Sequence, residues 1–179
     1  MPCLCLRLES RSATAEVGWQ LDSRGGFAKV RPMELYEQWL ETCAENRDAW
    51  ALRDLGTGAE WTFAALADEL KPLPKLSPGS IASAAASEGA VTFLLKTLQA
   101  WRDGAVLLPV ERADAGEVER DALPAESIVH IKTTSGSTGK PRRVLFRAAQ
   151  LAADWRQIRS TMGLTRAAPD VAVLSLARR

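Results

Sequence analysis

One histidine, one tyrosine and three cysteines in 179 residues close off several kinds of chemistry. A structural zinc site takes four Cys or His ligands at defined spacings. His130 with Cys3, Cys5 and Cys43 does not provide such a pattern. Three cysteines also make no disulfide framework, and Cys3 and Cys5 read as inert terminal chain. No apolar run approaches the ~20 residues that a membrane helix requires. Arg7 and Arg11 are not followed by the apolar stretch of a secretory signal. The expectation is a cytoplasmic chain with no membrane partner and no metal-ligating set of its own. Lys plus Arg total 23 against 22 Asp plus Glu, so net charge selects neither nucleic acid nor lipid.

What is present is enough for a packed core. Hydrophobic residues make up 46% of the chain and include six tryptophans, and the length fits one domain or a piece of a larger one. Residues 1–30 show no sustained period and contain Gly25–Gly26, so they read as a loosely ordered, strand-poor lead-in. From Pro32 a helix is expected, with Tyr36, Trp39, Leu40 and Cys43 at i, i+3, i+4 and i+7. "AWALRDL" (49–55), "GTG" (56–58) and "EWTF" (60–63) read as strand, turn and antiparallel return. "AALADEL" (64–70) is a short helix, stopped by the proline-rich connector "KPLPKLSPGS" (71–80).

After the connector the pattern becomes strand, helix, strand. "SIASAAAS" (80–87) reads as a buried strand of small residues. Val91, Leu94, Leu95, Leu98 and Trp101 space as one helix face, ended by Gly104. "AVLLPV" (105–110) is a continuous apolar run suited to a strand covered on both faces. A βαβ unit argues for a parallel sheet. A polar segment (111–125) leads to the strand "ESIVHIKTTS" (126–135), and "RVLF" (143–146) can return as the second arm of a hairpin. Leu151, Trp155, Ile158 and Met162 line a further helix, and "VAVLSLA" (171–177) reads as a last strand. The fold class is therefore α/β, mostly parallel with flanking helices and some antiparallel pairing.

The chemistry concentrates in "TTSGSTGKPRRV" (133–144). Gly136 and Gly139 permit a backbone with φ > 0 and close approach to a ligand. Consecutive N–H groups in such a turn can converge on an anion. Thr133, Thr134, Ser135, Ser137 and Thr138 add hydroxyl donors, while Lys140, Arg142 and Arg143 add positive charge suited to phosphate. It is not a Walker A loop, which needs Gly, four residues, then Gly-Lys-Ser/Thr. Thr134 stands at the first Gly position and Pro141 at the Ser/Thr position. A polar hairpin turn is the plain alternative, but such turns rarely gather five hydroxyls, two glycines and three cations.

The loop resembles the phosphate-loop signature of the adenylate-forming (AMP-binding) superfamily: acyl-CoA synthetases, adenylation domains of peptide synthetases, and luciferases. That pattern reads Ser/Thr-Ser-Gly-Ser/Thr-Thr-Gly-x-Pro-Lys-Gly. Thr134, Ser135, Gly136, Ser137, Thr138, Gly139 and Pro141 match it in place, whereas Arg142 and Arg143 stand where the family has Lys and Gly. "ENRDAWALRDLGTGAEWTFAALADEL" (45–70) and "EGAVTFLLKTLQAWRDGAVLLPV" (88–110) are similar to the family's early segments and come in the family's order. Residues 31–179 are thus identified as the N-terminal portion of an adenylation domain.

The resemblance implies an ATP-dependent ligase in which a carboxylate attacks the α-phosphate. An acyl-adenylate forms, and a thioester with CoA or a phosphopantetheine arm follows. It implies ATP and Mg2+ as cofactors, with Thr134, Ser135, Gly136, Ser137, Thr138, Gly139, Lys140 and Arg142 at the ATP phosphates. Later family features are missing: the aromatic-Gly-x-Thr-Glu and Thr-Gly-Asp segments and the C-terminal catalytic Lys. The catalytic residues are therefore unassigned, and the chain is expected to be incomplete alone, with an open apolar edge that a second chain could cover.

The alternative is a non-catalytic remnant or interaction module that keeps a phosphate-binding loop. Nucleic acid is the weakest of the partners. Lys140, Arg142, Arg143, Arg147, Arg156, Arg159 and Arg166 face only Asp154 in that stretch, but no aromatic-and-basic RNA signature accompanies them. His130 lies inside a strand pattern and reads as a structural residue rather than a catalytic one.

Overall fold

The computed structural model describes residues 4–5, 32–54, 57–111, 128–134 and 142–163. Two sheets organise them. The first is antiparallel and three-stranded, in the order β1 (Leu4–Cys5), β2 (Trp50–Asp54), β3 (Glu60–Thr62). The expected lead-in thus contributes one short strand, whose partners Asp54 and Arg53 lie far along the chain. The β2–β3 turn needs a left-handed residue, and Gly58 supplies it at φ 74°.

Helix α1 (Pro32–Glu45) forms where the 3.6-residue period predicts. Its contact face is narrower than expected. Trp39 and Cys43 pack with Ala51, Leu52, Phe63 and Leu66, whereas Leu40 is 45% exposed. Leu40 sits at the far margin of the stripe, because the helix docks through the Trp39 side, where that ring meets Phe63 at 5.5 Å. Helix α2 (Phe63–Leu70) follows β3 directly. Thr62 caps it by accepting the Ala65 N–H at 3.1 Å, a bond that typically contributes about 1 kcal/mol.

The second sheet holds β4 (Ile81–Ala85), β5 (Val106–Val110), β6 (Ile128–Thr134) and β7 (Arg142–Arg147) in that order. β4–β5 and β5–β6 are parallel and β6–β7 antiparallel, so the α/β class and its mixed pairing hold. The crossover between β4 and β5 is α3 (Ala90–Asp103), stopped by Gly104 in the left-handed conformation. The small residues of β4 matter here: Ala84, Ala100, Ala105 and Leu107 form one buried cluster under Phe93, which lets the helix lie close to the sheet. On the opposite face Val106, Leu108, Ile128 and Ile131 pack together.

The 71–80 connector is held rather than loose. Arg102 donates to the carbonyls of Leu70 (2.8 Å), Leu73 (3.2 Å) and Pro74 (3.3 Å). Gln99 donates to Pro74 at 2.7 Å, and Asp103 accepts from the Leu76 N–H at 2.9 Å. These bonds pair side chains of α3 with backbone groups of a segment that has no ladder or helix of its own.

Helix α4 (Ala148–Met162) follows β7 and ends at left-handed Gly163. It anchors through buried Ala148, but its apolar stripe faces outward: Trp155, Ile158 and Met162 are 48%, 42% and 67% exposed. Periodicity predicts this stripe but not what it meets. The expected 111–125 segment (apart from Glu111) and the "VAVLSLA" strand lie outside the described residues.

Candidate functional site

Two of the site residues predicted from sequence, Thr134 and Arg142, lie at the end of the described β6–β7 pairing. The expected return strand is present, one residue longer at each end than predicted, and the pairing runs up to the loop. Lys132 pairs with Val144, Thr133 with Arg143, and Thr134 with Arg142. Of the predicted phosphate-contacting residues, Thr134 and Arg142 are therefore register partners on adjacent strands. Ser135, Gly136, Ser137, Thr138, Gly139 and Lys140 lie outside the described residues.

Strand alternation sorts the cations at the mouth. Side chains two apart on one strand, and those of register partners, share a face. Lys132, Val144 and Arg142 accordingly lie on one face, and Thr133 with Arg143 on the other. Sequence reasoning missed Lys132. It lies two residues before Thr134, so the period-2 pattern that defines β6 would have placed it on the Arg142 face. Its ammonium stands 5.5 Å from the centroid of the Phe146 ring, within cation–π range, and the side chain is exposed.

His130 is on the same face, further from the mouth. Its ring meets Phe146 edge-on, and its Nε2 is buried without a hydrogen-bond partner. Burial, assisted by the Lys132 charge, pushes its pKa down to about 4. The imidazole is thus neutral at physiological pH, which fits a structural residue.

The chemistry that this arrangement offers is electrostatic. Two strands deliver Lys132, Arg142 and Arg143 to one hairpin end, and such a cluster suits oxygens carrying negative charge. No general base stands at the mouth among the described residues. Nor do three or more His, Cys, Asp or Glu gather as a metal set among them. Among the same residues no helix is long and apolar enough to cross a membrane.

Comparison with known proteins adds little. No protein-family model matches the chain, and no curated protein matches it. Among solved structures it is similar to the inhibitor-bound N-terminal domain of FACL13 from Mycobacterium tuberculosis, at 15% identity and a TM-score of 0.42. The match covers 65% of this chain and 44% of that one, so the chain spans less than half of that domain. A likeness this weak has no bearing on function.

Proposed function

We propose that the chain is part of an ATP-dependent carboxylic-acid-activating ligase, with the 134–142 segment gripping the ATP phosphates. The observation that supports this best is the in-register pairing of Thr134 with Arg142. It brings both ends of the Ser/Gly/Thr loop side by side on paired strands and adds Lys132 to the cationic face. Ser135, Ser137, Thr138, Gly139 and Lys140 complete the contact set in this reading, with Arg142 as charge partner. Their role is to hold the β- and γ-phosphates while charge builds on departing pyrophosphate. Mg2+, when bound, shares that charge; no residue of this chain is assigned to it.

Two experiments test the reading. Equilibrium dialysis with ATP–Mg should show binding that Thr138→Ala and Gly139→Val abolish; no binding at millimolar ATP would sink it. Pyrophosphate exchange with a panel of carboxylic acids should be silent for this chain alone. Robust exchange would show that residues 1–179 suffice for adenylate formation.

A second reading, an interaction module, is favoured by the outward stripe on α4. Three large apolar side chains on one exposed helix face suit a partner chain better than water. In that case ATP–Mg does not bind, and the stripe is the functional surface.

A further inference from the structure

α1, α2, α3 and the 71–80 connector enclose a cleft with a volume of about 270 Å3. Ala67, Leu70 and Leu73 give it apolar lining, and Tyr36, Lys71, Lys75 and Arg102 give it polar lining. Among the described residues, none of β6 or β7 lines it.

Two of the polar groups are committed to other partners. Arg102 is engaged by three backbone carbonyls and by the Asp103 carboxylate at 2.8 and 2.9 Å. Lys71 pairs with Asp68 at 2.6 Å. The other two are not: among the described residues the Lys75 ammonium has no ion pair and the Tyr36 hydroxyl has no hydrogen bond. Burial raises the pKa of the phenol, so it remains an O–H donor.

A cation and a hydroxyl donor lining one cleft beside apolar residues form the recognition pattern of a small amphiphilic anion. Charge selects its valence. Lys71, Lys75 and Arg102 against Asp68 and Asp103 leave one net positive charge (3 − 2 = +1). A monoanion matches it, whereas a phosphate dianion would leave excess negative charge beside Asp103. Arg102 also fixes the shape of the cleft, since it ties the Leu70–Pro74 backbone to α3 before any ligand arrives.

We propose that this cleft binds a small monocarboxylate bearing a short apolar tail, with the carboxylate on Lys75 and Tyr36 and the tail against Leu70 and Leu73. This does not depend on the ligase reading, because among the described residues the cleft and the hairpin end share none.

The test is NMR titration of the 15N-labelled full chain with hexanoate. Amides of 67–71, 73, 75 and 102 should shift saturably with Kd about 1 mM, or about 4 kcal/mol of binding. Hexanol, with the same tail and no charge, should bind at least tenfold more weakly. Lys75→Glu should remove binding, and Tyr36→Phe should weaken it about threefold, each with an otherwise unchanged spectrum. Saturating ATP–Mg should leave the hexanoate Kd unchanged. The proposal is overturned if hexanoate shifts map elsewhere, if hexanol binds equally well, or if inorganic phosphate binds more tightly. It is also overturned if both variants bind like the parent chain. Loss of ATP binding in a separate titration would count against the loop, not the cleft.

Discussion

His130 meets Phe146 edge to face, with ring centroids 5.9 Å apart and planes at 84°. The contact holds a neutral imidazole whose Nε2 has no protein partner. A pKa of about 4 in the fold, against about 6.5 in the unfolded chain, means the unfolded state binds the extra proton first. Stability should therefore fall as pH drops from about 6.5 toward 4, by about 1–2 kcal/mol after allowance for solvent screening. Urea melts of wild type and His130→Phe at pH 7 and pH 5 check this. The variant should lose the pH dependence in that window, and an equal slope in both would refute it.

Asp103 acts in the same sense at lower pH. The Arg102 guanidinium beside it, with the Leu76 N–H, holds its pKa below the usual carboxylate range. The stability this contributes is fully present above about pH 4 and is lost as pH falls through the lowered value. Asp103→Asn should cost about 1–3 kcal/mol at pH 7, since Arg102 loses its paired charge. The deficit should shrink below pH 4, as measured by chemical denaturation at pH 7 and pH 3.

Leu66 and Trp155 are both apolar helix residues, yet truncating them should give different results. Leu66 is fully buried, and Leu66→Ala should cost about 2–5 kcal/mol. Trp155 is 48% exposed, and Trp155→Gln should stay within about 0.5 kcal/mol. Thermal melts of the two variants provide the comparison. A large loss of stability in Trp155→Gln would mean that another part of the chain covers the stripe.

Lys132 extends the phosphate-binding reading to a residue within β6. Lys132→Ala should weaken ATP–Mg binding about three- to tenfold, roughly 1 kcal/mol, with the fold unchanged. Arg143→Ala, on the opposite face, should weaken it less. Dialysis at two salt concentrations separates these, because both losses should shrink as salt rises. Equal losses would mean that face does not matter.

Much of this fold was legible because its signals are local. Strict periodicity from Val91 to Trp101, the glycine at 104 and the apolar run of 105–110 define the βαβ unit without outside help. The hairpin arms flanking the loop were legible for the same reason. What escaped depends on distant partners. Leu4–Cys5 is too short to declare itself a strand, and its partner lies about fifty residues on. Arg102 reads as a surface cation at the end of a helix until the connector folds over it. Periodicity showed that Leu151, Trp155, Ile158 and Met162 share a face, but it carries no information about what that face meets.

The β6–β7 register slips by one residue between Ile128 and His130: Ile128 pairs with Arg147, but His130 pairs with Phe146. An extra residue on one strand bends it and increases its twist. The course of the hairpin's outer strands is thus set at Val129, five residues before Thr134 and deep in the core. Deleting Val129 would remove the extra residue and change the bend and twist of the hairpin, while the outer pairs Lys132–Val144 and Thr134–Arg142 stay in step. The path of the paired strands that carry Thr134 and Arg142 is an inheritance from the core, so it can be altered far from either residue.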